Sequence, residues 1–355
     1  MKLLLKWTTI IPIAAWVLYF SGLITEGSIY QVAAAALLIL SVIAAVHHSE
    51  IIAHRVGEPY GTIILAVAVT IIEVSIIISL MVAGGPEAES LARDTIFSAI
   101  MLILNGITGL CLFLGGLKYK EQSFSQHSAT IALVSLVAII ILTLIFPSYT
   151  TSVKGPYYST PQLIFVAIAC LTIYSFFLLA QTKRHREYFL SGEDDSETHA
   201  IKVSNASLVS SLVFLLLGLG IVVLLAKTLS PTIEKIVISN NLPKTLVGVI
   251  IAAVILLPEG IAAIIAAKNN KLQTSLNLAL GSALASIGLT IPCVAVVSSM
   301  LNINVILGLD VKSTILLALS VFTVMLSLAR GRTNMVYGVV LLVNLMAFIF
   351  LIVYP

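Results

Sequence analysis

The sequence predicts an all-α polytopic membrane protein with about eleven transmembrane helices, arranged as one helix followed by two groups of five. Of its 355 residues, 59% are hydrophobic and only 10% are charged, whereas about 25% of residues are charged in soluble domains. The apolar runs are about twenty residues long, which is the length of a membrane-spanning helix and not of a barrel strand. This composition excludes a soluble enzyme, and the small net charge of +3 does not indicate a nucleic-acid surface.

The spans follow one another between polar stretches that contain charged residues, proline or glycine. The apolar runs cover residues 8–25, 30–48, 61–83, 95–117, 128–147, 161–181, 206–229, 245–267, 274–300, 313–329 and 333–354. We expect a first helix (1–25), a first five-helix repeat (26–181), an acidic cytoplasmic linker (182–204) and a second five-helix repeat (205–355). The linker is either a solvated, flexible connection or an ion-sensing segment.

The charges of the connections predict the orientation. If successive connections lie on alternate sides, 13 of the 19 Lys and Arg residues fall on one side. Because basic residues are retained in the cytoplasm, this side is expected to be cytoplasmic. The N-terminus is then cytoplasmic, and the C-terminus lies outside.

Two carboxylates lie deep inside apolar runs. Glu73 and Glu259 are twelve and fourteen residues into their helices, near the bilayer midplane. An ionisable group at this depth costs about 3 kcal/mol and usually marks a functional site. The alternative is a protonated glutamate that only hydrogen-bonds to a neighbouring helix.

The two glutamates occupy similar positions in the two halves. Residues 66–75 around Glu73 resemble residues 252–261 around Glu259, and the two helices are the third and eighth spans. Units of five helices enter the membrane from opposite sides, so this spacing predicts inverted-topology repeats with a shared site. Pro258 has no N–H to donate to the carbonyl of Val254, which leaves that oxygen available.

Each glutamate helix is followed by a helix with small and polar residues at helical spacing. These residues are Ser98, Asn105 and Thr108 in the first half, and Ser275, Ala279, Ser282, Ser286 and Thr290 in the second. Such stripes often serve only tight helix packing. Beside a carboxylate they predict oxygen ligands for Ca²⁺, Na⁺ or K⁺, and they argue against zinc or copper. Protons and cations would compete for the same oxygens, which is the basis of antiport.

These motifs resemble the calcium/cation exchanger superfamily, specifically its cation/proton exchanger branch and the bacterial ChaA-type antiporters. The resemblance rests on residues 57–62 with Glu73, on Leu-Leu-Pro-Glu-Gly at 256–260, and on 281–292. It implies ten helices in two inverted repeats plus one extra helix, with Glu73 and Glu259 alternately protonated and metal-loaded. It also implies a location in the bacterial cytoplasmic (inner) membrane.

The chain departs from the branch near both glutamates. The branch has Gly-Asn where this sequence has Val69-Thr70 and Ile255-Leu256, and a glutamine expected near Ala285 is absent. With fewer protein oxygens, we expect more water or carbonyl ligands and a selectivity relaxed toward monovalent ions. Thr70 and Asn105 are the candidate substitutes.

A second cluster lies at the cytoplasmic end of the second helix, and its members are His47, His48, Glu50, His54 and Glu58. One interpretation is a solvated helix end. The other is a pH-sensing or cation-capturing entrance, with Glu50 and His54 as its candidate residues.

We therefore expect a secondary-active antiporter that exports cytoplasmic Ca²⁺, Na⁺ or K⁺ in exchange for H⁺. The alternatives are a monovalent-only Na⁺(K⁺)/H⁺ antiporter and a passive cation channel, and an intramembrane hydrolase is disfavoured because the histidines lie in loops or at helix ends. No cofactor is expected. The expected partners are membrane lipid and the transported cations, with no nucleic acid, and the oligomeric state is left open.

Overall fold

A helix coincides with each predicted apolar run. The computed structural model describes residues 6–56, 60–84, 89–190, 205–243, 245–301 and 304–354. Its helices are α1 (Trp7–Phe20), α2 (Ser28–Val56), α3 (Tyr60–Gly84), α4 (Leu91–Tyr119), α5 (Gln126–Ser148), α6 (Thr160–Arg184), α7 (Asn205–Ser239), α8 (Thr245–Lys268), α9 (Leu272–Leu301), α10 (Val311–Leu328) and α11 (Met335–Val353).

The lengths and compositions of these helices confirm a polytopic α-helical membrane protein. Within the described residues, eight helices are long and apolar enough to cross a membrane, and α8 makes a ninth if its two bent parts form one span. Helix α1 and the apolar part Val69–Ser79 of α3 are shorter, with 10–17 residues each. The class of fold is as predicted, while the count of eleven spans stays a prediction.

Two compact units divide the chain, and each takes segments from both halves of the sequence. Unit 1 consists of Met1–Leu80 and His199–Val247, and unit 2 consists of Met81–Thr198 and Gly248–Pro355. This division differs from the one proposed from the sequence repeats, which stays a prediction.

Unit 1 is built around the packing of α1, α2 and α7. The Trp16 indole N–H donates to the carbonyl of Leu217 at 3.0 Å. A Cβ at Gly218 would lie 3.1 Å from the Cβ of Ala45, so α7 approaches α2 closely at that glycine. Small residues at such contacts let helix backbones approach each other without a loss of packing.

His48 corrects one interpretation from the sequence. It was placed in a solvated helix end, but it is only 3% exposed. Its ring stacks on Phe214 and lies 3.4 Å from the Ser211 hydroxyl and 3.2 Å from the Thr8 carbonyl. The solvated interpretation is wrong for His48, because α1 and α7 cover this side of α2.

In unit 2, three connections meet at one end of the helices. Strands β1 (Glu121–Ser123) and β2 (Arg332–Asn334) follow α4 and α10 and pair antiparallel. The Tyr119 hydroxyl donates to the carbonyl of Lys268 at 2.9 Å, and Gln122 Nε2 donates to the carbonyl of Ala267 at 3.0 Å. The C-terminal ends of α4, α8 and α10 therefore lie together.

Other connections of unit 2 meet at the opposite end. The backbone N–H of Ile306 donates to Glu89 O at 3.0 Å, and that of Gly308 donates to Pro156 O at 3.1 Å. The Ser148 hydroxyl donates to Leu309 O at 2.7 Å. Successive connections of this unit thus alternate between two ends, as the assignment of alternate sides to the connections requires.

Candidate functional site

Glu259 lies at a break in α8. The segments Thr245–Leu257 and Glu259–Lys268 meet at an angle of 55°. Pro258 stands at the junction and has no N–H for the carbonyl of Val254, so the regular helix hydrogen bond cannot form there. Glu259 is only 8% exposed. A buried acidic side chain and a helix turn that lacks one backbone hydrogen bond therefore lie at the same point of α8.

The neighbouring helix α9 supplies a partner for this carboxylate. The Ser282 hydroxyl donates a hydrogen bond to Glu259 Oε2. Ser286 lies one turn further along α9 and is also buried. The structure therefore brings together the predicted carboxylate and one serine of the predicted hydroxyl stripe.

A third helix, α4, runs alongside α8. A Cβ at Gly248 would lie 3.2 Å from the carbonyl carbon of Asp94, and one at Gly260 would lie 3.3 Å from Ile107 Cδ1. From Gly248 to Gly260 along α8, the contacted residue of α4 changes from Asp94 to Ile107. The two helices therefore run parallel. Gly260, the residue after Glu259, lies against the π-helical stretch Leu102–Ile107 of α4.

Asn105 lies in this π-helical stretch and has a fixed amide. Its Nδ2 donates to Ser320 Oγ at 2.8 Å and to Met101 O at 3.3 Å. The Ser320 proton is used toward Leu316 O at 2.8 Å, so Ser320 Oγ must accept from Asn105. Because both partners accept, the NH₂ end of the amide is the one that faces them. Asn105 Oδ1 is left buried with no partner in the described part of the chain.

The other polar residues predicted on α4 use their hydroxyl protons within the helix. Ser98 Oγ donates to Asp94 O at 2.6 Å, and Thr108 Oγ1 donates to Ile103 O at 2.9 Å. Both side chains are fully buried. Their lone pairs can still accept, but Asn105 is the α4 residue with an oriented oxygen.

Glu73 lies in unit 1, on α3. It is 4% exposed, as is Thr70 one turn earlier. Glu73 and Thr70 both interact with other protein groups. The burial agrees with the predicted depth of Glu73, and a site shared by Glu73 and Glu259 stays a prediction from the sequence.

The candidate entrance residues are only partly described. Glu50 lies on α2 and is half-buried. His54 lies on the same helix, but its side chain is outside the described residues, as is the whole of Glu58. The acidic part of the linker, 191–204, is also outside them, whereas Phe189 just before it is buried and accepts a 2.6 Å hydrogen bond from Asn277 Nδ2 on α9.

Sequence reasoning missed two buried groups of unit 2. Ser320 holds the Asn105 amide, and Tyr174 on α6 is 3% exposed with a hydroxyl that has no hydrogen-bond partner among the described residues. A polar residue inside an apolar run was the available signal for both. Among the described residues, no three His, Cys, Asp or Glu side chains gather as a metal cluster, so the candidate ligands here are hydroxyl and amide oxygens beside single carboxylates.

Comparison with known proteins identifies the family. A family model described as sodium/calcium exchanger protein matches residues 28–183 and 210–354. The chain is 42% identical to a putative ionic transporter, y4hA, of Sinorhizobium fredii, over 98% of this chain and 96% of the relative. It is 34% identical to the sodium-potassium/proton antiporter ChaA of Escherichia coli, over 85% of this chain and 82% of the relative.

Solved structures support the same fold. The structure of native YfkE superposes with a TM-score of 0.71 at 18% identity and covers 98% of this chain and 100% of that chain. The H⁺/Ca²⁺ exchanger CAX gives a TM-score of 0.70 at 16% identity, with 97% and 88% covered. The resemblance predicted from the glutamate motifs is confirmed. The chain belongs to the sodium/calcium exchanger protein family, which is a family of membrane transporters and not a class of catalytic enzymes.

Proposed function

We propose that the protein is a secondary-active cation/proton antiporter that exports cytoplasmic Ca²⁺, Na⁺ or K⁺ in exchange for H⁺. In this proposal Glu73 and Glu259 are alternately protonated and cation-loaded. The observation that carries it is the buried Glu259 carboxylate at a helix break, with the Ser282 hydroxyl donating to it. A buried carboxyl group of this kind can be neutralised by a proton or by a metal ion, and not by both at once.

The surrounding groups suit hard cations. Hydroxyl, amide and backbone oxygens are the ligands that Ca²⁺ and alkali cations accept. Ser282 and Ser286 on α9 are candidate hydroxyl ligands, and Asn105 on α4 offers an oriented amide oxygen. The carbonyl of Val254 adds a backbone oxygen at the break, since Pro258 cannot pair with it.

Thr70 and Ser98 are proposed as secondary oxygen ligands with less support. Thr70 is buried one turn before Glu73, and Ser98 lies on α4 with its proton directed to Asp94 O. Glu50 and His54 are proposed as entrance residues on α2, from their position near the cytoplasmic end of that helix.

The names of relatives support exchange of cations for protons. The E. coli relative is named a sodium-potassium/proton antiporter, and a relative from Aphanothece halophytica, 28% identical over 71% of this chain, is named a Ca²⁺/H⁺ antiporter. These names leave the ion open between Na⁺, K⁺ and Ca²⁺. The proton gradient supplies the driving force in the proposal, and no cofactor is required.

We further propose that the end of unit 2 that carries β1 and β2 is cytoplasmic. Among the described residues of unit 2, nine basic residues lie at that end, namely Lys118, Lys120, Lys183, Arg184, Arg186, Lys268, Lys271, Arg330 and Arg332. The opposite end of unit 2 carries three in the same described part, Arg93, Lys154 and Lys312. By the positive-inside rule the N-terminus is then cytoplasmic and the C-terminus lies outside the inner membrane.

Transport by purified protein in liposomes tests the proposal. A proton gradient is imposed across the vesicles, a pH-sensitive dye is trapped inside, and Ca²⁺, Na⁺ and K⁺ are added separately. At least one cation should collapse the gradient, and Glu73→Gln and Glu259→Gln should each abolish the response. Glu26→Gln is the matched control, since Glu26 is an exposed residue between α1 and α2.

The same experiment separates the alternatives. A response to Na⁺ and K⁺ without Ca²⁺ indicates a monovalent-only antiporter. Cation flux without any proton movement indicates a passive channel and refutes antiport. A normal response in both glutamine variants refutes the assigned site.

A further inference from the structure

His48 is a buried titratable side chain that the proposed mechanism does not use. It lies on α2 and is 3% exposed. Its ring stacks on Phe214 of α7, with the ring centroids 5.5 Å apart. Nε2 lies 3.2 Å from the Thr8 carbonyl oxygen of α1, and Nδ1 lies 3.4 Å from the Ser211 hydroxyl of α7. The imidazole therefore joins three helices, all within unit 1.

The two hydrogen-bond partners decide the protonation of the ring. A carbonyl oxygen can only accept, so Nε2 carries a proton and donates it to Thr8 O. A hydroxyl can donate, so Nδ1 of the neutral ring accepts from Ser211 Oγ. One neutral tautomer thus satisfies both partners. A second proton, on Nδ1, would break the hydrogen bond that Ser211 donates.

The Thr8 carbonyl is available because Pro12 follows it in α1. In a regular helix this carbonyl would accept from the backbone N–H of residue 12, but proline has no N–H. Pro12 lies inside α1, so His48 supplies the hydrogen bond that the helix itself cannot. A proline within a helix also permits a bend, and the turn before Pro12 can therefore move without the rest of α1.

The rest of α1 is attached to α7 by a separate contact. The Trp16 indole N–H donates to Leu217 O at 3.0 Å, and a Cβ at Gly220 would lie 3.2 Å from the Trp16 ring. Trp16 and Thr8 lie on opposite sides of Pro12 in the sequence. Of these two attachments of α1, only the one at Thr8 contains a titratable group.

A second proton on His48 would be poorly compensated. Helix α2 contributes His47, whose ring centroid lies 5.8 Å away, and Lys6 next to α1 adds a positive charge that opposes protonation. Residues 205–226 of α7 contain no charged side chain. Glu50 follows His48 by two residues, a spacing that places their side chains on different faces of a helix. No carboxylate in the described parts of α1, α2 and α7 therefore faces the ring, and a buried charge without a partner destabilises the packing around it.

We infer that the contact of His48 with α1 and α7 is a pH-sensitive switch, which on protonation releases the first turns of α1 and slows exchange. The proposed orientation places this end of α1 and α2 on the cytoplasmic side. The proposed exchange brings protons to that side, so the switch limits exchange when the cytoplasm becomes acidic. Glu73 belongs to the same compact unit as His48, and loosening of that unit therefore affects one of the two proposed carboxylates. The regulatory role rests on the proposed function, whereas the switch itself does not.

Tryptophan fluorescence tests the switch directly, because both tryptophans of the chain, Trp7 and Trp16, lie on α1. The wild-type protein reports both, and Trp7→Phe reports Trp16 alone, so the difference belongs to Trp7. In detergent, acrylamide quenching of Trp7 should rise about 1.5- to 2-fold between about pH 8 and pH 5, the range in which histidine changes its charge. Trp16 should change much less, because its hydrogen bond to Leu217 O contains no titratable group.

Two substitutions at His48 assign the pH-dependent step. His48→Gln keeps an amide donor for Thr8 O, His48→Phe keeps the stacking on Phe214, and neither side chain titrates. Both should remove the step. His127→Gln is the matched control and should keep it, since His127 is an exposed histidine of α5. In liposomes, when the pH on the cytoplasmic face is lowered from about 7.5 to 6, His48→Gln should keep about two- to fivefold more of its exchange rate than the wild type.

The outcomes separate the switch from its regulatory role. A wild-type protein without a fluorescence step overturns the switch before any variant is made, and so does a step that persists in both His48 variants. If the step depends on His48 but the pH dependence of exchange is the same in His48→Gln, the regulatory role fails. Glu259→Gln should keep the fluorescence step, since Glu259 belongs to unit 2. A failure of the proposed glutamate site therefore leaves the switch measurable.

Discussion

Removal of the Ser282 hydroxyl is the sharpest test of how the Glu259 carboxylate is used. In Ser282→Ala the donor to Glu259 Oε2 disappears while the backbone of α9 is unchanged. A hydrogen bond to a charged group contributes about 1.5–3 kcal/mol. Glu259 is 8% exposed, so bulk water replaces the lost donor poorly. Because 1.4 kcal/mol is a factor of ten, the half-saturating cation concentration should rise about tenfold or more.

The assay is cation-driven collapse of a proton gradient in liposomes, run over a range of cation concentrations. Ser282→Thr keeps the hydroxyl and should stay close to the wild-type value. Ser135→Ala is the matched control, because that hydroxyl donates only to Ile131 O within α5 at 2.8 Å. A folded Ser282→Ala protein with wild-type cation dependence would refute the reasoning that this hydrogen bond tunes the site.

Three further predictions concern orientation, packing and ionisation. Ser320→Ala should remove the acceptor that holds the Asn105 amide, and it should raise the half-saturating cation concentration about threefold to tenfold in the liposome assay. Gly116→Val should lower the stability in detergent by about 1–3 kcal/mol, seen as a lower melting temperature, because its Cβ would meet the backbone at the start of α11. Gly281→Ala is its control, since nothing lies within 4 Å of the added Cβ, and it should melt at or above the wild-type temperature. Burial, with a smaller effect of nearby Cys170, raises the pKa of Tyr158 to about 12. The neutral form is therefore favoured by folding, and its stability contribution should be lost as pH rises from about 10 through about 12, which phenolate absorbance against Tyr158→Phe would show.

Much of the fold follows from composition and from the period of the apolar runs. Lipid offers no hydrogen-bond partners, so the backbone groups of a membrane-spanning segment must pair with each other. Runs of about twenty apolar residues are therefore helical. For the same reason, a glutamate within such a run had to be buried, and Glu73 and Glu259 are. Ser282 is predicted from helical spacing together with the carboxylate on the preceding helix, and the structure places its hydroxyl on Glu259.

Contacts between distant segments could not be read in the same way. The burial of His48 depends on α1 and α7 covering one side of α2, and α7 lies more than 150 residues further along the chain. The orientation of the Asn105 amide depends on Ser320, which is 215 residues away. The local sequences around His48 and Asn105 look the same as those around a polar residue that ends a helix or packs against a neighbour.

The sequence by itself determined that this is an integral membrane protein and which stretches form its helices. It also identified Glu73 and Glu259 as the two acidic residues deep inside apolar runs. These properties depend on the local balance between apolar burial and backbone hydrogen bonding, which the residues of each segment decide independently of the other segments. Only the tertiary structure decided that the Ser282 hydroxyl meets Glu259 and that Ser320 orients the Asn105 amide, because side chains on different helices come together only when the helices pack. The resulting orientation of Ser282 and of Asn105 is a property of the packed unit and of no single helix.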